Sequence, residues 1–540
     1  MSCFAEAVQD WQEVWAGRGK LGAMARGQRE AIAGRLRGEV GAVRREHGGR
    51  LRVCLVYPNT YSVGMSSLGF QTIYHLLNAD AGVVCERAFV PEGEDLAEIE
   101  RRGEALLSYE SLTPLHEFDV IAFSVSYELD YVGVARALRL GKVPVMAGDR
   151  GEEHPLVVAG GAAVSINPEP LAELVDAFVI GEGEEVIGEV VEALRRGGDG
   201  GTEALGEVEG VWVPARDGEV VRRYVRGLDE WPTHSRVLTR ETEFGELFLV
   251  EVSRGCGRGC KFCVTPGCYW PLRWRSVGKV VETAREGMEQ RGAIGLVGAA
   301  VSDHPEIDEM ARRIVGMGAR LSVSSLRADS VSEVLLGALV RSGARSITIA
   351  PEAGSERLRE EIEKGISDEQ IFDCLGRAVA VGMREAKLYF MVGLPGETEA
   401  DVEAIPELVR RCVKAGDLRR VTVAAGAFVP KPGTPYEREG MLPVRELSGR
   451  LRMIREGLRG ERRVRLALES ANWSYLEGAL SRGDRRLGRV IAAAEERGGK
   501  LAAWREAFAE AGLSAEEYAG PRGEDWRPPW GFVRSGRESA

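Results

Sequence analysis

The sequence predicts an α/β protein with two successive parallel-sheet units and a helical C-terminal region. Short apolar runs of strand length recur along residues 51–181 and again along 247–424, and helical stretches separate them. Strands that alternate with helices pair in parallel, because each helix carries the chain back across a face of the sheet. At 540 residues the chain is long enough for two or three domains with separate cores.

Residues 51–196 are predicted to form a doubly wound, Rossmann-like sheet, preceded by a helical, amphipathic segment at 1–50. The predicted strands are short apolar runs, and several of them end at glycine or proline. Residues 197–240 are predicted to be a linker, because a glycine-rich run at 197–201 interrupts the pattern and a polar, strand-poor stretch follows. The predicted elements are strands at 52–58, 119–126, 155–160 and 176–181, with helices at 68–78 and 130–140.

Residues 241–440 are predicted to form a partial (β/α)6 barrel, and residues 441–540 a mostly helical region rich in Arg, Glu and Ala. In barrels of this kind the loops at the C-terminal ends of the strands carry the chemistry. The six predicted strands lie at 247–252, 294–297, 320–323, 346–350, 386–391 and 421–424.

A cysteine triplet with the spacing C-x3-C-x2-C follows the first strand of this second unit, at Cys256, Cys260 and Cys263. Three thiolates on one short loop suit a cubane iron–sulfur cluster and leave its fourth iron open, as in catalytic rather than structural metal sites. Zinc usually takes four ligands in paired spacings, which the triplet does not offer. Ordinary loop cysteines are the other interpretation. The basic residues that could offset the thiolate charge are Arg254, Arg258 and Lys261.

The triplet, with Phe262 just before its last cysteine, resembles the radical S-adenosylmethionine (SAM) superfamily. The resemblance implies a [4Fe–4S] cluster whose open iron binds SAM, and reductive cleavage of SAM to a 5′-deoxyadenosyl radical. It also implies a reductant such as flavodoxin or ferredoxin. Cys268, close after the triplet, is a weak candidate for a radical-trapping or acid residue, with an incidental cysteine as the alternative.

Loops after the later strands offer further groups to SAM. Glu352 can accept hydrogen bonds from the ribose or amino group, while Ser355 and Arg357 can meet the carboxylate. These loops resemble those of the radical SAM branch that includes the methylthiotransferases; turns with helix caps are the alternative interpretation. Many superfamily members carry Gly-Gly-Glu after the second strand, whereas this chain has Gly298-Ala-Ala. The candidate SAM residues are Phe262, Gly298, Ser325, Arg327, Glu352, Ser355, Arg357, Met391, Gly393 and Phe428.

Through residues 57–69, 124–127, 160–161 and 181–184 the first unit resembles the cobalamin-binding domains that precede many radical SAM domains. From about residue 50 to its end the chain also resembles a largely uncharacterised group of cobalamin-domain radical SAM proteins, through 168–170, 428–432, 476–486 and 529–531. Ligands of such sheets bind beyond the C-terminal ends of the strands. The histidine motif that supplies a cobalt ligand in many cobalamin enzymes is absent, and an empty, structural domain is the alternative. The candidate cobalamin residues are Ser124, Ser126, Gly160, Gly161, Gly181 and Gly183.

The resemblance therefore implies a radical SAM enzyme, with cobalamin-dependent methyl transfer to an unactivated carbon as the leading interpretation. The alternative enzyme is cobalamin-independent and catalyses rearrangement, dehydrogenation or methylthiolation. Methylthiolation is disfavoured because the N-terminal half has no second cysteine triplet for an auxiliary cluster. A non-catalytic iron–sulfur protein is the non-enzyme alternative.

Composition and charge bear on the classes of partner and on the cellular location, but they do not identify a substrate. A net charge of −12 argues against nucleic-acid binding by bulk electrostatics, and a local basic groove is the alternative by which a nucleic acid would bind. No apolar run approaches the ~20 residues that span a bilayer, and the N-terminus lacks a signal-peptide layout. Nine cysteines, an odd number, do not suggest a secreted disulfide framework. A cytoplasmic protein with no membrane partner is predicted.

Overall fold

The computed structural model describes residues 27–197, 201–216, 218–324 and 326–536. Most of the predicted N-terminal helical segment therefore lies outside the described residues, and so does the candidate SAM residue Ser325. The described chain begins with helix α1 (Gln28–Gly38). No helix within the described ranges combines the length and the apolar character needed to cross a membrane.

The first unit is a sheet flanked by helices. Its elements in chain order are β1 (Leu51–Tyr57), α2 (Tyr61–Met65), α3 (Leu68–Ala79), β2 (Val83–Phe89), α4 (Gly93–Arg102), β3 (Val120–Ser124), α5 (Tyr131–Leu140), β4 (Leu156–Gly160), α6 (Ala162–Ile166), β5 (Ala177–Val179), α7 (Ile187–Gly197), α8 (Gly201–Leu205) and β6 (Val211–Trp212). The strand order is β2-β1-β3-β4-β5-β6, with the first five strands parallel and β6 antiparallel to β5. The order 2-1-3-4-5 places the topological switch point between β1 and β3, where sheets of this type bind ligands.

All four strands and both helices predicted for this unit are present. Strand β2 was not predicted, because Glu86 and Arg87 interrupt its apolar run. Both side chains are nonetheless buried, since Arg87 pairs with Glu39 and Glu110 at 2.7 Å each. The stretch 197–240, predicted to be a strand-poor linker, contains two short strands, β6 and a second one at Val220–Val221.

The second unit contains the six predicted strands as β8 and β11 to β15. Its elements are β7 (Val220–Val221), β8 (Phe248–Glu251), β9 (Ser253–Arg254), α9 (Thr265–Cys268), β10 (Arg273–Trp274), α10 (Val277–Met288), β11 (Ala293–Val297), α11 (Ile307–Gly316), β12 (Arg320–Val323), α12 (Glu333–Arg341), β13 (Ser346–Glu352), α13 (Glu356–Glu361), α14 (Asp368–Ala380), β14 (Glu385–Val392), α15 (Glu399–Ala415) and β15 (Arg420–Ala427).

The C-terminal region is mostly helical, as predicted, but adds a strand to the second unit. Its elements are α16 (Val444–Gly457), β16 (Val464–Leu468), α17 (Ala471–Ser481), α18 (Leu487–Glu496), α19 (Leu501–Glu510), α20 (Ala515–Ala519) and β17 (Val533–Arg534). Among the described residues the second unit forms two parallel sheets, β12-β11-β8 and β13-β14-β15-β16. Strand β17 pairs with β7 of the connection.

The C-terminal helices pack against the first unit rather than standing apart. Leu480, Leu487 and Ile491 of α17 and α18 share one apolar core with Val134 and Leu138 of α5. Burial of these side chains excludes water from the face of the N-terminal sheet that α5 covers. The chain thus returns to its first unit after completing the second, and the two units are held with their strand ends towards each other.

Candidate cofactor site

A cavity of about 560 Å³ lies between the C-terminal strand ends of the two units. Loops after β1, β3, β4 and β5 line one side, and loops after β8, β11, β14 and β15 line the other. Parallel strands collect their C-terminal loops at one edge, so each unit presents its ligand-binding edge to the other. The predicted residues that line this cavity are Ser124, Ser126, Gly160, Gly161, Gly181, Gly183, Phe262, Cys263, Cys268, Gly298, Met391 and Phe428.

One member of the cysteine triplet, Cys263, lines this cavity, and Cys256 lines a second cavity. Cys260 is buried, Cys256 and Cys263 are half-buried, and the Cys263 amide donates to the Cys260 carbonyl at 3.1 Å. Within the described chain no three His, Cys, Asp or Glu side chains stand together as a ready-formed metal site. The three thiols thus share one loop without converging, and their role as ligands stays a prediction. Their chemistry suits an iron–sulfur cluster, for which cysteine thiolates are the ordinary ligands.

The basic side chains of this loop pair with carboxylates and a carbonyl. Arg258 pairs with Asp303 at 2.9 Å and with Asp329 at 3.3 Å. Lys261 donates to the carbonyl of Glu361 at 2.7 Å, and Arg254 points towards the first unit. The hydrogen bond to Asp303 raises the pKa of Arg258, the nearby Cys256 thiol adds to that rise, and the Arg258 backbone amide donates to the Cys256 sulfur at 3.5 Å. The expectation that the basic residues offset the thiolate charge therefore finds support at Arg258, and it stays a prediction for Arg254 and Lys261.

Lys364, which the sequence analysis missed, lies on the other side of the cysteine loop. Its ammonium donates to Glu352 at 3.1 Å, and its carbonyl accepts from Arg327 at 3.0 Å. Burial raises the pKa of the Cys260 thiol, and the positive charge of Lys364 opposes that rise. Arg327, Glu352 and Lys364 thus form one polar group beside Cys260. Lys364 follows the end of α13 and belongs to no motif, so only its spatial position reveals it.

Glu352 occupies an irregular end of strand β13. The pairing register with β14 shifts between Ile349 and Glu352, and Glu352 has a φ of 71°. Its carboxylate is buried. Helix α13 is capped by Ser355, whose hydroxyl accepts from the Leu358 amide at 3.2 Å. The cap that was the alternative interpretation of this loop is therefore Ser355 and not Glu352.

Arg327 and Glu352 do not line the cavity, and neither do three other predicted SAM residues, Ser355, Arg357 and Gly393. Arg357 donates to Asp401 at 2.5 Å and to the Gly396 carbonyl at 2.9 Å. The Ser355 hydroxyl also donates to Asp401. Gly393 has a φ of 82°, and its amide donates to Glu397 at 2.6 Å. These contacts assign the three residues local structural partners, and their predicted contact with SAM is untested.

Gly160 and Gly161 of the first unit differ in whether a side chain could replace the glycine hydrogen. Gly161 has a φ of 113°, and a Cβ atom there would collide with the backbone of Val125, so its backbone path requires glycine. A Cβ atom at Gly160 would meet nothing closer than 3.6 Å. Both residues line the cavity, but only Gly160 leaves room that a ligand can use.

Part of the cavity runs between α3 and α7, and this part is mostly apolar. Ile73, Leu77, Val190 and Leu194 line it together with Thr72. Thr72 is 6% exposed, and its hydroxyl has no hydrogen-bond partner. A buried hydroxyl without a partner costs free energy, which a ligand with a suitably placed polar atom recovers.

A buried polar cluster closes the side of the cavity next to α17. Lys431 lies 2.8 Å from Glu128 and 2.7 Å from Glu477, and the Tyr127 hydroxyl donates to Glu477 at 2.5 Å. These residues come from the loop after β3, the loop after β15 and α17. Sequence reasoning predicted the loop that contains Lys431 but not its partners, which are far away in the chain.

Two family descriptions match this chain. Residues 69–214 match "Radical SAM proteins, N-terminal", and residues 250–409 match "Radical SAM superfamily". An uncharacterized protein of Methanocaldococcus jannaschii is 30% identical over 450 residues, which are 81% of this chain and 90% of that protein. More distant relatives include methyltransferases and methylthiotransferases.

Two solved structures share the fold with a TM-score of 0.50 each. The radical SAM methyltransferase TsrM from Kitasatospora setae, bound to tryptophan and a SAM analogue, is 16% identical and covers 72% of this chain and 75% of its own. The cobalamin-dependent radical SAM enzyme OxsB, bound to aqua-cobalamin, is 15% identical and covers 85% of this chain and 71% of its own. At such identities the likeness concerns the fold alone. Together with the extended match to the Methanocaldococcus protein, the two family matches show that this chain belongs to the radical SAM superfamily and carries the N-terminal domain of that superfamily ahead of its radical SAM domain.

Proposed function

We propose that this radical SAM enzyme uses cobalamin in addition to its cluster and SAM, and that it methylates an unactivated carbon of a small molecule. One observation carries the proposal: a single cavity joins four of the predicted SAM residues, Phe262, Gly298, Met391 and Phe428, to the ligand-binding edge of the N-terminal sheet. The fold likeness to a radical SAM methyltransferase and to a cobalamin-bound enzyme supports it.

Membership of the superfamily implies a [4Fe–4S] cluster and SAM. Cys256, Cys260 and Cys263 would hold the cluster, because they are the thiolate donors gathered on the loop after β8. When bound, the cluster and SAM supply a carbon-centred radical. The protein's part is to bind, orient and shield: Phe262, Gly298, Met391 and Phe428 would wall the SAM side, and Glu352 would accept hydrogen bonds. We further propose that the two parallel sheets of this unit are parts of one partial barrel around that side.

Two observations support the proposal of cobalamin on the N-terminal side of the cavity. Gly160 leaves space at the strand edge, and the unpartnered Thr72 hydroxyl lies in the apolar channel between α3 and α7, which suits a heterocyclic group with one polar atom. Ser124, Ser126 and Gly181 border the same edge. Cobalamin supplies methyl-carrier chemistry when bound. No histidine lines the described cavity, so we propose no histidine on cobalt.

Methylthiolation remains disfavoured. Outside the triplet, four of the described cysteines are buried in the apolar cores of the sheets and helices: Cys54, Cys85, Cys374 and Cys412. Cys268 packs beside Ala162 and Val264, and burial raises its pKa to about 11, so it is a protonated thiol at neutral pH. The described chain therefore offers no second cysteine triplet for an auxiliary cluster.

The charge of the cavity favours a small molecule over a nucleic acid. Carboxylates outnumber cations on its walls, and a phosphate backbone is bound mainly through Lys and Arg. The charged lining residues are Glu128, Asp130, Glu182, Glu184, Glu251, Glu469 and Glu477 against Arg254 and Lys431. A reductant such as flavodoxin or ferredoxin is the proposed electron donor.

The test is anaerobic reconstitution followed by reduction with SAM present, with and without cobalamin. We expect 5′-deoxyadenosine in both cases and S-adenosylhomocysteine, the product of methyl donation by SAM, only with cobalamin. The Cys256→Ala variant should form neither product. Deoxyadenosine without S-adenosylhomocysteine, although cobalamin is bound, would favour the cobalamin-independent enzyme. Absence of both products from protein with a filled cluster would favour a non-catalytic iron–sulfur protein.

A further inference from the structure

A buried ion network joins the N-terminal wall of the cavity to the cysteine loop. Arg254 ends strand β9 two residues before Cys256, and it donates to Glu182 at 3.0 Å and to Glu184 at 2.7 Å. Glu182 and Glu184 belong to the loop after β5 that lines the cavity. The guanidinium of Arg254 also pairs with Glu251 at the end of β8, at 3.0 Å. One side chain therefore touches the ends of both units.

A second arginine makes this contact rigid. Arg273 on β10 holds both carboxylate oxygens of Glu182, at 2.7 and 2.9 Å, and β10 pairs with β9. The Val225 amide donates to Glu182 at 2.8 Å. Arg254, Arg273, Glu182 and Glu184 are each less than 9% exposed. Bidentate arginine–carboxylate pairs in such surroundings fix both distance and orientation, and breaking one leaves a buried charge uncompensated.

The ion network contacts loops on both sides of the cavity. On one side it holds the loop 181–184, which borders the proposed cobalamin side of the cavity. On the other side it holds the residues directly before Cys256. Any ligand that orders one loop therefore also restricts the other, and a shift of either loop would have to break charge-assisted hydrogen bonds.

We infer that Arg254 is a positioning residue that links the two binding sites, so that a ligand on the N-terminal side of the cavity strengthens SAM binding on the other side. The inference rests on the proposed function, because it takes cobalamin to be the N-terminal ligand. Linkage is reciprocal, so SAM strengthens cobalamin binding by the same factor. Glu182 and Glu184 transmit the effect through their contacts with the guanidinium.

The experiment measures the SAM dissociation constant of the reconstituted full-length protein by calorimetry, with and without saturating hydroxocobalamin. We expect cobalamin to tighten SAM binding by about 5-fold or more, the lower end of ordinary coupling between sites. The Glu184→Gln variant keeps the size of the side chain but loses the charge that faces Arg254, so the factor should fall towards one. The affinity for each ligand alone, followed for cobalamin by the visible spectrum, is measured in the same variant, so that a loss of coupling is separated from a loss of binding.

The matched control is Glu169→Gln. Glu169 is also buried and pairs with an arginine, Arg485 at 2.8 Å, but it contacts neither the 181–184 loop nor the cysteine loop. This variant should keep the full coupling factor. If Glu184→Gln does not fold, the Arg254→Lys variant replaces it, because lysine keeps the charge but cannot hold two carboxylates in the same fork geometry.

The possible results separate this inference from the proposed function. Cobalamin binding without any change in SAM affinity in the unaltered protein overturns the inference and leaves the proposed function standing. Full coupling in Glu184→Gln or Arg254→Lys also overturns it. No cobalamin binding at all, in protein with a filled cluster, overturns both.

Discussion

Glu352 combines two features that cost free energy, a left-handed backbone and a buried carboxylate. Left-handed backbone at a residue other than glycine is uncommon and tends to occur at ligand sites. Lys364 offsets the buried charge but sits on one oxygen only, at 3.1 Å from Oε1. The second carboxylate oxygen of Glu352 is therefore the atom predicted to accept a hydrogen bond from SAM, beside Cys260 rather than in the cavity lining.

Replacement of Glu352 by glutamine should weaken SAM binding by about 1.5–3 kcal/mol, the range for a hydrogen bond to a charged group. Glutamine keeps the shape and an acceptor oxygen, so the fold should be retained. Calorimetric titration of SAM into the reconstituted protein measures the loss. The control is Glu360→Gln, an exposed glutamate on the adjoining helix α13, which should leave SAM affinity unchanged. Equal affinities for Glu352→Gln and the unaltered protein would remove Glu352 from the SAM site.

A substitution at Gly160 tests the proposed cobalamin side of the cavity. A leucine at this position has room for its first carbon and must send the remainder into the cavity, so cobalamin retention should fall at least about tenfold while the cluster is still formed. Absorbance of protein-bound cobalamin after gel filtration gives the retention. Gly148→Leu is the control, because Gly148 is exposed and away from the cavity. Gly161 is unsuitable, since any side chain there distorts the backbone. Full retention by Gly160→Leu would argue for a different ligand position.

At the scale of elements, the pattern of apolar residues was sufficient to predict most of the strands. It failed where a strand contains charged side chains. The six predicted strands of the second unit and four of the first are present because each is a short apolar run. Strand β2 was missed because Glu86 is satisfied by His47, Ser108 and Ser111, which only the folded chain brings near. Strand β16 was missed because Arg463 and Arg465 make its sequence look like an exposed helix.

The cluster around Lys431 shows how separate elements are held together at the cavity. A Lys431→Met substitution would leave Glu128 and Glu477 buried without a cation, so the free energy of unfolding should drop by about 3–5 kcal/mol. Urea denaturation followed by circular dichroism measures the change. For comparison, Lys279→Met removes the exposed pair with Glu282 and should cost no more than about 0.5 kcal/mol. A loss below about 1 kcal/mol for Lys431→Met would mean that water reaches the two glutamates.

At the scale of the whole molecule, the ligand-binding edge of each unit could be predicted from the sequence. That the two edges lie against one shared cavity could not. The contacts that bring them together join residues far apart in the chain: Asn167 donates to the carbonyls of Ser481 and Gly483, and Arg139 pairs with Glu495 at 2.7 Å. Polar contacts of this kind leave no periodic signal along the chain. The partners of Arg254 were missed for the same reason. Lys364 belongs to no motif, and the buried hydroxyl of Thr72 has no partner that a sequence pattern could reveal.

The charge distribution of the whole molecule leads to a last prediction, which separates a small-molecule methyltransferase from a methylthiotransferase acting on RNA. With a net charge of −12 and a cavity lined mainly by carboxylates, neither the bulk charge of the chain nor the described cavity favours the release of counterions from phosphates. Fluorescence anisotropy with a labelled RNA hairpin at 0.15 M salt should show no binding tighter than the ordinary non-specific range of roughly 10⁻⁴–10⁻⁶ M. The same titration at 0.05 M salt is the control, since any residual binding should be electrostatic and strengthen there. Submicromolar binding at 0.15 M salt would instead require a basic groove outside the cavity, and it would move the proposed substrate from a small molecule to RNA.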